Sequence, residues 1–238
     1  MLEYFVYESL AILGFAGVMV PLVLYAIRVH KRRLSLAAGW AAARGYSFLE
    51  SNPALVPYLR GEPFPGGDSA KVQEFIYGTT PSGRTFCSFK YTYEESSGGR
   101  PSTTVNRSVV MVRVPAVLPA LSLSYEGFGD KVQKLFGGQD IELESEDFNR
   151  LFRVMSPVES FAYAVLHPRM MEWLMGPARG LVPFRVEGSD VMCWREGKPD
   201  YSILDGQLAA MSDFADQIPH SVIEQYAAPP SLGWAVAR

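Results

Sequence analysis

The sequence predicts an α+β protein, in which an N-terminal transmembrane helix is followed by a mainly antiparallel sheet domain packed with helices. Three observations carry that prediction. A charge-free apolar run opens the chain, strand-like segments cluster in hairpins, and helical periodicities lie between those clusters with no regular strand–helix alternation. Over all 238 residues the composition is that of an ordinary globular protein, 48% hydrophobic and 20% charged with a net charge of −3. Such values exclude a disordered tail, a collagen-like fibre and a disulfide scaffold.

Ser9 to Ile27 is a run of 19 residues without a charge, bounded by Glu8 and Arg28. At about 1.5 Å per residue a helix of this length approaches the roughly 30 Å hydrocarbon thickness of a bilayer. Tyr4, Phe5, Tyr7 and Tyr25 stand near its ends, where interfacial aromatic belts belong, and Pro21 is tolerable inside it. A buried core helix of this length would carry a polar face. A cleaved signal peptide would begin with positive charge, whereas this start holds Glu3 and Glu8, and no cysteine lies nearby to accept a lipid. The expectation is an uncleaved anchor over residues 1–33, spanning about 9–27.

Arg28, Lys31, Arg32 and Arg33 follow the run, and no Lys or Arg precedes it. That asymmetry predicts the N-terminus outside and the domain in the cytoplasm, with the four cations at the membrane interface. Residues 34–238 then hold 18 Lys and Arg against 23 Asp and Glu, about −5, so the domain is not expected to lie flat on an anionic leaflet. A cytoplasmic site keeps Cys87 and Cys193 reduced, and Cys87 shares a strand face with Phe89, Tyr91 and Tyr93.

The elements follow in order. Leu34 to Arg44 continues the helix along Leu36, Ala37, Trp40 and Ala41, with Gly45 as its stop. Asn52 and Pro53 read as the N-cap and first turn of a short helix through Leu59. Lys71–Thr79 and Thr85–Tyr93 form a hairpin around Pro81 and Gly83, and the segment 94–104 has little to bury. Val105–Val114 and Leu121–Tyr125 are two strands, Asp130–Phe136 is a short helix, and Phe148–Met155 is a strand. Val158, Phe161, Ala162, Val165 and Leu166 line one helical face, and Pro168 interrupts it before a second helix through Met175. Val182–Glu187 and Val191–Arg195 form a second hairpin around the turn Gly188–Asp190. A last helix over Ser202–Ile218 is ended by Pro219. The domain is read as one unit over 34–226, followed by a tail at 227–238.

Chemistry is sparse. The three histidines, His30, His167 and His220, stand in different contexts without zinc-ligand spacing. There is no G-x-S-x-G elbow, and the glycine stretches PFPGGD and FGGQD lack a phosphate-loop lysine. His167, ahead of Pro168, is read as a helix cap. Asp140, Glu142, Glu144 and Glu146 recur at period two and would line one face of a strand, a solvated face or a weak cation site. An enzyme would need His167, Glu172 and Cys193 to converge. No cofactor is expected, and an acidic domain without clustered cations gives no support to nucleic-acid binding.

Residues 144–174, ESEDFNRLFRVMSPVESFAYAVLHPRMMEWL, resemble a family of bacterial, actinobacterial-type membrane-anchored proteins of unknown function. The resemblance rests on Phe152–Val154, Ala162–Leu166, Pro168, and Met171 with Glu172. It implies an anchor followed by an α+β domain and carries no catalytic residue, although the wider family has two spans where this chain has one. The function expected is that of a membrane-anchored interaction module, a scaffold or accessory subunit that contacts the bilayer and a protein partner. A small-molecule or lipid-binding module is the alternative.

Overall fold

A computed structural model describes residues 2–66, 69–95, 102–125, 139–176, 179–181 and 183–227. The side chains of residues 2–18, 139, 140 and 179 lie outside the description. The anticipated helix at 130–136, most of the 94–104 segment and the tail from 228 also fall outside it. Among the described residues no helix is long and apolar enough to cross a membrane; about half of the anticipated span has undescribed side chains.

The chain starts with one helix, α1, Leu2–Ala42, so the apolar run and the segment after it are continuous through Pro21. Gly45, at φ +72°, turns the chain back into the edge strand β1, Ser47–Ser51. A 3-10 turn at Pro53–Tyr58 replaces the anticipated α-helix, and the Asn52 side chain makes no cap hydrogen bond. Strands β2, Lys71–Thr79, and β3, Thr85–Glu95, form the predicted hairpin, closed by Thr80 accepting from the Arg84 amide.

β4 is a single strand from Thr103 to Tyr125 where two were expected. Pro115 and Pro119, in the gap between the two expected strands, lack an amide hydrogen. They stand where the ladder to the neighbouring strand shifts register, and there the Val117 amide donates to the carbonyl of Tyr226 instead. The partner strand β7, Phe184–Glu196, likewise runs straight through the anticipated turn. Gly188 adopts φ +58° opposite Leu118, and Asp190 pairs with Arg113, so the glycine makes a bulge and the second hairpin does not exist.

The expected strand at 148–155 begins instead as a helix, α2, Glu146–Leu151, before β6, Phe152–Ser156. Ser145 caps it by accepting from the Phe148 amide, and Glu146, Asp147 and Arg150 suit the helix dipole. The short strand β5, Gln139–Asp140, pairs with β6. Then α3, Glu159–Val165, and α4, Pro168–Met175, meet at Pro168, as the proline predicts. Last come α5, Leu204–Gln217, and α6, His220–Gln225.

Every strand pairing is antiparallel, in the order β1-β2-β3-β4-β6-β5, with β7 on the other edge of β4. Period-two alternation sends side chains into two cores. Phe86, Val110, Val112 and Cys193 face the helices, together with Phe161, Leu208, Phe214 and Ala41 of α1. Cys87, Phe89, Tyr91 and Trp194 face the opposite side, covered by Leu55, Leu59 and Phe64. Arg185 pins that cover by donating to the carbonyls of Arg60 and Glu62 at 2.9 Å each. A Cβ at Gly61, φ +67°, would stand 2.6 Å from its Nη1, so glycine is required there.

The two thiols are thus free, buried and on opposite faces of the sheet. Burial pushes the Cys193 thiol up to about 12 and raises that of Cys87 as well. A thiol reagent is expected to leave both unlabelled in the native protein and to label both in denaturant, and mild oxidation is expected to form no intramolecular disulfide; fast native labelling or a shifted non-reducing band would contradict this placement.

Candidate functional site

The alternation of β2 is broken by a charge. Val72, Phe75 and Tyr77 belong to the second core, although strict period two from Val72 would put Glu74 there. The register jumps between the pairs Gln73–Lys90 and Ile76–Ser88, leaving Glu74 and Phe75 opposite one residue. This bulge holds Glu74 at φ +52°, a conformation that costs a non-glycine residue about 1–3 kcal/mol, and aims its carboxylate toward α1.

There the carboxylate is buried, at 1% exposure, and fully engaged. Arg33 Nε donates to both oxygens at 2.8 and 2.9 Å, Tyr201 Oη donates at 2.7 Å, and Lys90 Nζ lies 3.4 Å away. The other arm of Arg33 donates to the carbonyl of Pro199 at 2.8 Å. Burial alone would push the Glu74 carboxyl up. The hydrogen bonds from Arg33 and Tyr201, with the charges of Arg33 and Lys90, outweigh it and leave the group below its ordinary value. The Tyr201 hydroxyl is raised by burial and by the carboxylate it serves.

Beside this cluster an open cleft of about 770 Å³, lined by both apolar and charged side chains, lies between α1 and the 199–205 segment. Arg44 lies 4.2 Å over the Trp40 ring and grips Asp205 with two donors, so both walls are cross-linked by charge. Trp40 also meets Tyr46 and Tyr201 at ring distances of 5.8 and 6.1 Å. The cleft pairs cations with anions, Arg33 with Glu74 and Arg44 with Asp205, and presents both donors and acceptors.

The anticipated interface residues divide at this junction. Arg28, Lys31 and Arg32 are exposed on α1, whereas Arg33 turns into the domain. Of the acidic series, Glu142 and Glu144 are exposed in irregular chain and Glu146 pairs with Arg150 in α2, so 140–146 is not one strand face; the Asp140 side chain lies outside the description. Among the described residues no group of three His, Cys, Asp or Glu side chains could hold a metal ion. His167 caps α4 by accepting from the Met170 amide, and its Nε2 meets the Gln217 carbonyl at 3.3 Å. Glu172 is exposed and Cys193 is buried, and no hydrogen bond joins either of them to His167. Sequence reading missed Glu74, Lys90 and Tyr201. The detectable signal was a lone glutamate inside the apolar strand VQEFIY.

No protein-family model matches the chain, and no curated protein matches it. The fold, however, is shared. The crystal structure of the mycobacterial trehalose monomycolate transport factor A, TtfA, matches with a TM-score of 0.55 at 12% sequence identity, over 82% of this chain and 95% of that chain. At that identity the likeness establishes the fold alone. The neighbour is actinobacterial, as was the resemblance read from residues 144–174.

Replacing Glu74 with Gln leaves Arg33 and Lys90 without their buried counter-charge, and breaking such a pair costs about 3–5 kcal/mol. Because the folded carboxyl is depressed, its contribution is present above the unfolded carboxylate pKa of about 4.3 and is lost as pH falls through the folded value. Denaturant unfolding is expected to show a gap between wild type and Glu74→Gln that is widest near neutral pH and narrows below about pH 4. A constant gap would contradict the ionised, engaged Glu74.

Proposed function

We propose that this chain is a single-pass membrane protein, N-terminus outside and domain in the cytoplasm, whose domain serves lipid transport at the membrane as an accessory subunit acting through protein contact. One observation carries the reading. The described part of the apolar run is exposed around the whole circumference of α1, with Val20 at 56%, Leu22 at 59%, Val23 at 50% and Tyr25 at 67% exposure. Among the described residues, no side chain of the domain covers them. Water would pay no return for such a belt, whereas hydrocarbon removes it at roughly 25 cal/mol per Å².

Exposed Arg28, Lys31 and Arg32 follow the belt at the position of a cytoplasmic flank. The transport role is supported by the fold shared with a transport factor for trehalose monomycolate. The open cleft beside Arg33, with apolar and charged side chains together in its lining, favours a second reading, in which the domain itself holds a lipid headgroup.

The full chain is expected to remain in the membrane pellet through an alkaline carbonate wash and to leave it in detergent; release by carbonate would overturn the anchor. Depletion in the native host, followed by pulse labelling of lipids, is expected to show an envelope lipid accumulating short of its destination. An unchanged lipid profile would contradict the transport role. Native mass spectrometry showing a retained lipid would favour the second reading over the accessory one.

A further inference from the structure

The direction of the sheet relative to α1 decides which end of the domain faces the bilayer. Arg33 meets Glu74, and farther along α1 Ala41 belongs to the same core as Ile76 and Phe86, while Tyr46 beyond the helix end packs on Phe86 at 4.7 Å. A Cβ on Gly78 would touch the Tyr46 ring. Thus β2 advances from Glu74 to Gly78 as α1 advances from Arg33 to its end, away from the apolar belt. The start of β2 and its antiparallel continuation, the end of β3 from Thr92 to Glu95, point back toward the belt. The start of β4 follows by register, Thr103 opposite Glu95, and the end of β7 joins them through the Gly197 amide donating to the Asn106 carbonyl at 2.8 Å.

The levels can be compared. Arg33 is six residues past Ile27, about 9 Å along the helix axis. Thr92 and its partner Asn106 lie two strand residues beyond Lys90, about 7 Å back toward the belt. At most about 7 Å of the roughly 9 Å is thus recovered, which brings this end of the sheet back toward the polar layer of about 5–8 Å that lies outside the hydrocarbon. Arg33 holds the 199 segment at the same level through Pro199.

We infer that the sheet end formed by Thr92–Glu95, Thr103–Asn106 and Gly197–Lys198 docks end-on against the lipid headgroups of the leaflet in which α1 is anchored. Among the described residues there, Lys71, Arg195 and Lys198 are matched by Glu94, Glu95, Glu196 and Asp200, so their net charge does not draw it to the surface. The tether does, by holding the end at the interface. The contact therefore forms on neutral and anionic leaflets alike. It also brings the cleft beside Arg33 next to the headgroups.

The inference rests on the anchoring of α1, and the test separates the two. Cys87 and Cys193 are buried, so a cysteine added to the full chain is the accessible thiol for an environment-sensitive fluorophore. Lys198→Cys marks the proximal end and Ser82→Cys the distal turn, both exposed positions. In nanodiscs of phosphatidylcholine, with or without phosphatidylglycerol, headgroup spin-labelled lipid is expected to quench the label at 198 severalfold more than that at 82, in both lipid mixtures. Chain that does not co-purify with discs would overturn the anchor and the docking together. Chain that co-purifies with equal quenching at both positions, or none at either, would overturn the docking alone. Quenching at 198 only in anionic discs would overturn the tether-driven contact.

Discussion

The buried contact of Arg33 with Glu74 joins two parts of the chain that have opposite relations to water. One is an apolar helical segment whose described side chains are exposed, and the other is a sheet with a core on each face. Removing the contact would leave α1 attached through the buried Ala37 and Ala41, the Trp40 and Tyr46 rings and the exposed Arg44–Asp205 pair at its far end, contacts that fix less about orientation. The carboxylate accepts three hydrogen bonds with a second cation beside it, and a fixed geometry of that kind sets an angle as well as a distance.

The cost of this arrangement is visible in the backbone. Glu74 occupies a left-handed conformation inside a strand, and the bulge that accommodates it shifts the rest of β2 by one residue. The same shift lets Phe75 and Tyr77 continue the second core while Ile76 reaches the first. Such strain persists only where surrounding contacts over-determine the residue, as Arg33, Tyr201 and Lys90 do for Glu74. Tyr201 and Pro199 extend the cluster to the chain after β7, so three distant segments are held at one level.

Much of the fold was legible. The β2–β3 hairpin, the break at Pro168, the cap by His167 and the last long helix ending before Pro219 all follow from local pattern, because each depends on neighbours within a few residues. The failures share a cause. Pro115, Pro119 and Gly188 punctuate turns elsewhere, but here β4 and β7 absorb them as paired irregularities, which only the partner strand can specify. At 146–151 the apolar Phe148 and Leu151 fit a helix as well as a strand, and the Ser145 cap decided between them. The junction was half legible: Arg33 was visible as a basic flank, while its partner lies 41 residues away.

The central claim is that α1 and the sheet move as one body because Glu74 binds Arg33. Pulsed electron resonance between spin labels at His30 on the helix and Ser82 at the distal turn, in the full chain reconstituted in bilayers, tests this directly. A single narrow distance distribution is predicted, broadening when Glu74 is replaced by Ala. A broad distribution in the unmodified protein, or one that the substitution leaves unchanged, would contradict it.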